Sequence, residues 1–244
     1  MIDVTVVEDA EAAARTCAEV VAAAIEAACA ARGVAHVALA GGRTPARTYE
    51  LLAEIVTDWR NVHLWFGDER CVPLDDPDSN DTLVRRALLD RLPDDPGSPR
   101  PIVHAVARAG DGDPAAAAAD YERELRASVP SEAAGTLPSL DLALLGLGED
   151  GHTASLFPDD PTLDERERLC IAVHGRKPPF ERVTLTLPVL RAARAIVVLT
   201  AGTGKAWAVG QMLSGPDPHV PASLLGEGGS VELIADRAAA PDGS

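Results

Sequence analysis

The chain has 244 residues, 46% of them apolar, and a formal net charge of −16. That length holds one large domain or two small ones with a substantial core. No uninterrupted apolar stretch is long enough to span a bilayer, and so large an acid excess argues against a nucleic-acid surface, which needs a basic patch.

In chain order, Ile2 to Val7 alternates apolar and polar residues and reads as a strand. Asp9 caps a long alanine-rich helix reaching about Ala31, which Gly33 ends. Val34 to Ala40 is a strand leading into Gly41-Gly42-Arg43-Thr44-Pro45, and Pro45 suits the first turn of the next helix. Val62 to Phe66 is a strand, followed by Gly67-Asp68-Glu69-Arg70 and a loop rich in Asp and Pro. Ser79 or Asn80 caps a helix, Ile102 to Ala105 is a short strand, and Asp113-Pro114 opens a helix to about Ser128. Leu140 to Leu145 is a buried strand running into Gly146-Leu147-Gly148-Glu149-Asp150-Gly151-His152. Leu169 to Val173 and Val183 to Leu187 read as strands, and Pro188 begins a short helix. Ala195 to Thr200 is a buried strand before Gly202-Thr203-Gly204-Lys205 and a helix through Met212; Val231 to Ala235 closes the set. The segments 93–101 and 130–138 are loops, neither long nor polar enough for a domain linker. Strands alternating with helices predict one α/β domain over residues 1–244, Rossmann-like, with a mostly parallel sheet and helices on both faces.

Four strands end in a glycine-rich or polar turn: at 41–44, 67–70, 146–152 and 202–205. In a parallel sheet these turns share the carboxyl edge, where α/β proteins bind small molecules. Gly41, Gly42, Arg43 and Thr44 stand at a helix N-terminus, whose free N–H groups attract phosphate; an ordinary tight connection with Thr44 as helix cap is the other reading. Asp150 and His152 follow a buried strand, and a carboxylate beside an imidazole makes a proton-transfer pair near neutral pH. Arg70 can grip a phosphate or carboxylate with two parallel bonds, or it pairs locally with Asp68 and Glu69 in a solvated turn. Lys205, in the first turn of a helix, is unfavourable to the helix dipole unless an anion lies nearby. It is also one of two lysines against twenty arginines.

Several alternatives fail on spacing. The 202–206 turn lacks the first glycine and the final Ser or Thr of a nucleotide-binding P-loop. Residues 146–151 satisfy GxGxxG, but Pro158 cuts short the helix that a dinucleotide site requires. There is no G-x-S-x-G elbow. Cys17, Cys29, Cys71 and Cys170 show no CxxC spacing, so reduced, packed thiols and no metal site are expected. The N-terminal residues lack a secretory pattern, and a cytoplasmic location is expected.

Together the segments Ala40–Pro45, Trp65–Pro73, Ser79-Asn80, Gly146–Pro158, Arg182–Pro188 and Gly202–Ala206 resemble the 6-phosphogluconolactonase family. The block DGHTASLFP followed by RVTLTLP carries most of the specificity, and the likeness runs from about Val34 to Leu225. The resemblance implies a Rossmann-like fold and hydrolysis of 6-phosphoglucono-δ-lactone in the pentose phosphate pathway, without metal or organic cofactor. It implies His152 as general base, Asp150 as its partner, and Gly41, Gly42, Arg43, Thr44, Asp68, Arg70, Arg182 and Lys205 around the sugar phosphate. The partner expected is that small molecule, not nucleic acid or membrane, with a monomer favoured. Arg43 departs from the family's usual serine, leaving Thr44 to supply a hydroxyl. Glucosamine-6-phosphate deaminases share the sheet and the Asp-Gly-His motif, but their motif carries a glutamate where this chain has Phe157. A non-catalytic sugar-phosphate-binding domain is the remaining alternative.

Overall fold

The computed structural model describes residues 2–73, 75–106, 112–131 and 136–240, so part of the 130–138 loop lies outside the described residues. The strands are β1 (Ile2–Val7), β2 (Ala35–Leu39), β3 (Val62–Phe66), β4 (Asp68–Arg70), β5 (Ile102–Val103), β6 (Leu142–Gly146), β7 (Cys170–His174), β8 (Glu181–Leu185), β9 (Ala195–Thr200) and β10 (Ser230–Asp236). The helices are α1 (Ala10–Arg32), α2 (Arg43–Ile55), α3 (Asn80–Ala87), α4 (Pro114–Ser128), α5 (Leu187–Arg191) and α6 (Ala206–Leu213).

Seven strands form one sheet in the order β1-β10-β9-β6-β2-β3-β5, every pair parallel. The chain winds outward in one direction from β2 and in the other from β6. These two neighbours therefore flank the point where the strand order reverses, and a crevice opens there at the carboxyl edge. β2 is buried at all five positions, as a central parallel strand must be. The chain's own signals set the helix ends. Asp9 accepts the Ala12 N–H, Gly33 closes α1 at φ 76°, Ser79 accepts the Thr82 N–H, and Asp113 accepts the Ala116 N–H.

A second sheet, β4-β8-β7, is antiparallel. The turn read at 67–70 is thus partly strand. Gly67 is the joint between the sheets, donating its N–H to Leu39 in β2 and accepting the Leu185 N–H with its carbonyl. The strand expected at 183–187 ends at Leu185, because Thr186 and Pro188 start α5 there. Residues 203–205 form a 3-10 turn ahead of α6, and β5 is shorter than expected.

Candidate active site

All four turns meet. A cavity of about 980 Å³ at the carboxyl edge is lined by residues from 40–45, 67–70, 145–152 and 199–205, with Phe157 and the 176–182 hairpin closing one side. His152, Asp150, Thr44, Arg70, Arg182 and Lys205 all face it. A second concavity of similar volume lies between α4 and β7 and contains none of these turns.

The tight turn after β6 builds the proton-transfer pair. Gly148 donates its N–H to the His152 carbonyl, Gly151 takes φ 84°, and the two side chains fold back onto each other. Asp150 Oδ1 lies 2.5 Å from His152 Nδ1. The imidazole holds the Asp150 carboxyl down to about 2, chiefly through this hydrogen bond, although partial burial opposes it. An ionised Asp150 accepts the Nδ1 proton and leaves the Nε2 lone pair free as a base.

The 41–44 turn leaves a helix end open. Gly42, at φ 100°, is the N-cap of α2 and supplies no side-chain bond. Thr44 lies inside the helix rather than at its cap, so the capping role considered for it is not the one it plays. Gly202 repeats the conformation at φ 94° before the 203–205 turn, again with no side-chain cap. Two uncapped N-termini therefore face one cavity.

The cations divide. Arg70 and Arg182 are register partners in the antiparallel pair β4·β8, so their side chains share a face. Like charges opposed in this way repel unless an anion comes between them. Burial holds the Arg182 guanidinium below its ordinary value; Asp68 opposes that shift and Arg70 adds to it. Arg182 Nε donates to the Pro179 carbonyl and Arg70 Nη1 to that of Asp78, while Arg70 Nε is buried without a partner among the described residues. Lys205 Nζ donates to the Leu147 carbonyl at 2.7 Å, and burial lowers its pKa against the pull of Glu149 and Asp150.

Asp68, predicted among the substrate contacts, has protein partners of its own. Its Oδ2 accepts from Ser155 Oγ at 2.6 Å, and its Oδ1 lies 3.3 Å from Asn80 Nδ2. Glu69 turns away and caps α3, accepting the N–H groups of Arg70, Asn80 and Asp81; burial still pushes its carboxyl up to about 7. Sequence reasoning missed this cap, which joins β4 to a helix ten residues on. Phe157 lies with its ring 5.2 Å from that of His152 and carries the Arg182 guanidinium 5.8 Å over its face. A hydrocarbon ring thus occupies the position where a deaminase-type motif would put a carboxylate.

The sheet order, the crevice and the turn motifs define an α/β protein with a site for a small anionic ligand. The profile of the family described as "Glucosamine-6-phosphate isomerases/6-phosphogluconolactonase" matches residues 8–234, and the chain belongs to that family. A 6-phosphogluconolactonase of Streptomyces coelicolor is 48% identical over 196 residues, 76% of this chain and 73% of the relative. One of Mycobacterium tuberculosis is 42% identical over 226 residues, 89% and 88% of the two chains. The solved 6-phosphogluconolactonase of Trypanosoma brucei superposes with a TM-score of 0.85 at 29% identity, covering 98% of this chain and 97% of that one. A monomeric glucosamine-6-phosphate deaminase superposes at 0.78 with 23% identity, a likeness of fold alone.

Proposed function

We infer that this chain, acting as a single α/β domain, hydrolyses 6-phosphoglucono-δ-lactone to 6-phosphogluconate. The observation that carries the reading is the Asp150–His152 pair beside Phe157, in one cavity with Arg70, Arg182, Lys205 and two uncapped helix N-termini. Relatives bearing that activity at 42–48% identity support it.

In this reading Lys205, Arg70 and the N–H groups at Gly42 to Thr44 hold the 6-phosphate, with Arg182 beside Arg70. His152 Nε2 removes a proton from water as the water oxygen bonds to the lactone carbonyl carbon. Backbone N–H groups of the glycine turns stabilise the resulting oxyanion. The intermediate then expels the ring oxygen, which takes the proton back from Nε2, and the acid product ionises. The chemistry draws on no metal or organic cofactor. It fits a cytoplasmic enzyme of the oxidative pentose phosphate pathway.

The test supplies freshly prepared lactone and follows acid release above the spontaneous rate, with glucosamine 6-phosphate offered in parallel for ammonia release. Acid release without ammonia is expected, and the reverse pattern would favour the deaminase reading. His152→Ala should abolish the catalysed rate; a variant retaining it would remove the general-base role. Lys205→Ala should chiefly raise KM, because it removes binding common to ground and transition states.

A further inference from the structure

The side chain of Asn80, the first residue of α3, is 1% exposed and bridges two of the turns around the cavity. Its Nδ2 donates to the Asp68 carbonyl at 2.7 Å and lies 3.3 Å from Asp68 Oδ1. Its Oδ1 fills the space that a Gly41 side chain would take: a Cβ on Gly41 would stand 1.9 Å from it. That oxygen is buried and accepts no hydrogen bond among the described residues, so its place is set by packing against Gly41. On the far side, Asp68 Oδ2 takes the Ser155 hydroxyl, three residues beyond His152. Asn80 itself is immobilised, since its N–H goes to Glu69 Oε1 at 2.8 Å. A contiguous line Gly41–Asn80–Asp68–Ser155 thus runs from the anion-binding turn to the loop of the base.

We propose that Asn80 is a positioning residue for the lactone hydrolysis. It sets the separation between the turn that anchors the phosphate and the loop that carries His152. Only a short planar side chain with a donor toward Asp68 and a compact atom carrying no hydrogen toward Gly41 fits both sides. Asp would set a carboxylate oxygen against the Asp68 oxygens, and Ala would release both contacts. The role rests on the lactonase reading above.

The test measures kcat, KM and the thermal midpoint for Asn80→Ala, Asn80→Asp, Gly41→Ala and the double variant Gly41→Ala/Asn80→Ala. Loss of alignment with the phosphate anchor intact should lower kcat by on the order of 10- to 100-fold with KM nearly unchanged. In the Asn80→Ala background, Gly41→Ala should lower kcat by a smaller factor than it does alone, because its methyl enters the space already vacated. The double variant should melt no lower than Asn80→Ala while its kcat stays low. Thermal midpoints that fall while kcat holds, or losses that multiply in the double variant, would overturn the positioning role. If the unaltered chain fails to hydrolyse the lactone, the lactonase reading falls and this proposal with it. If the unaltered chain is active and Asn80→Asp matches it, the positioning role alone falls.

Discussion

At Gly148 there is no room for a side chain. A Cβ would stand 2.0 Å from His152 Nδ1 and 2.7 Å from Asp150 Oδ1, so the proton-transfer pair packs directly on bare backbone. Gly148→Ala should therefore separate imidazole from carboxylate and lower kcat by roughly 100-fold, with little change in the far-ultraviolet circular dichroism. The run Gly146 to His152 made this pair legible, since glycines and an Asp/His couple follow a buried strand within seven residues. The partners of Asp68 were not legible. Asn80 and Ser155 stand 12 and 87 residues away from it, and no local pattern encodes such distances.

Among the elements, α4 completes β3 where the sheet fails to. β5 offers only two residues, pairing with His63 and Leu64, so among the described residues the end of β3 has no strand partner on that side. Tyr121 of α4 takes over: its hydroxyl accepts from the Phe66 N–H at 2.7 Å and donates to the Phe66 carbonyl at 3.2 Å. Tyr121→Phe should leave both buried groups unpaired, costing about 1–3 kcal/mol, read as a lowered thermal midpoint. Activity should fall too, because Gly67 and Asp68 follow directly. The Asp113-Pro114 start signal located α4, but nothing in the local sequence shows that β3 uses the Tyr121 hydroxyl. The antiparallel β7–β8 pair was not read from the sequence, although the spacing of its strands argues for it. Strands six residues apart are too close for a parallel crossover, which requires a dozen or more.

Across the whole molecule, the edge opposite the active site holds a histidine cluster in which protonation of the buried His36 should set acid stability. His36 and His63 are register partners in β2 and β3, and His36 accepts from Trp65 Nε1. Trp65 stacks on His104, which also bonds His63 and Glu124. Burial pushes His36 down to about 4, His63 and His104 push the same way, and Asp141 opposes. A depressed imidazole stays neutral in the fold, while the unfolded chain takes up a proton below about 6.5. Stability should therefore be lost as pH falls from 6.5 toward 4, by roughly 3 kcal/mol for a shift of that size. Glu69 runs oppositely: with its carboxyl raised to about 7, its contribution is lost as pH rises from 4.5 through 7. Denaturant unfolding of His36→Gln across pH 4 to 7 should separate the two by flattening only the acid-side loss.

Residue order alone determined the succession of the main-sheet strands and the helices, the end signals at Asp9, Gly33, Ser79 and Asp113, the parallel character of the main sheet and the meeting of four turns at one edge. Each of these follows from local periodicity, capping chemistry or the geometry of right-handed crossovers. Only the tertiary structure decided that β4, β7 and β8 split into a second sheet, that Arg70 faces Arg182 there, and that Asn80 occupies the room left by Gly41. Those features depend on which distant segments come within a hydrogen bond of one another, and that is settled when the whole chain packs.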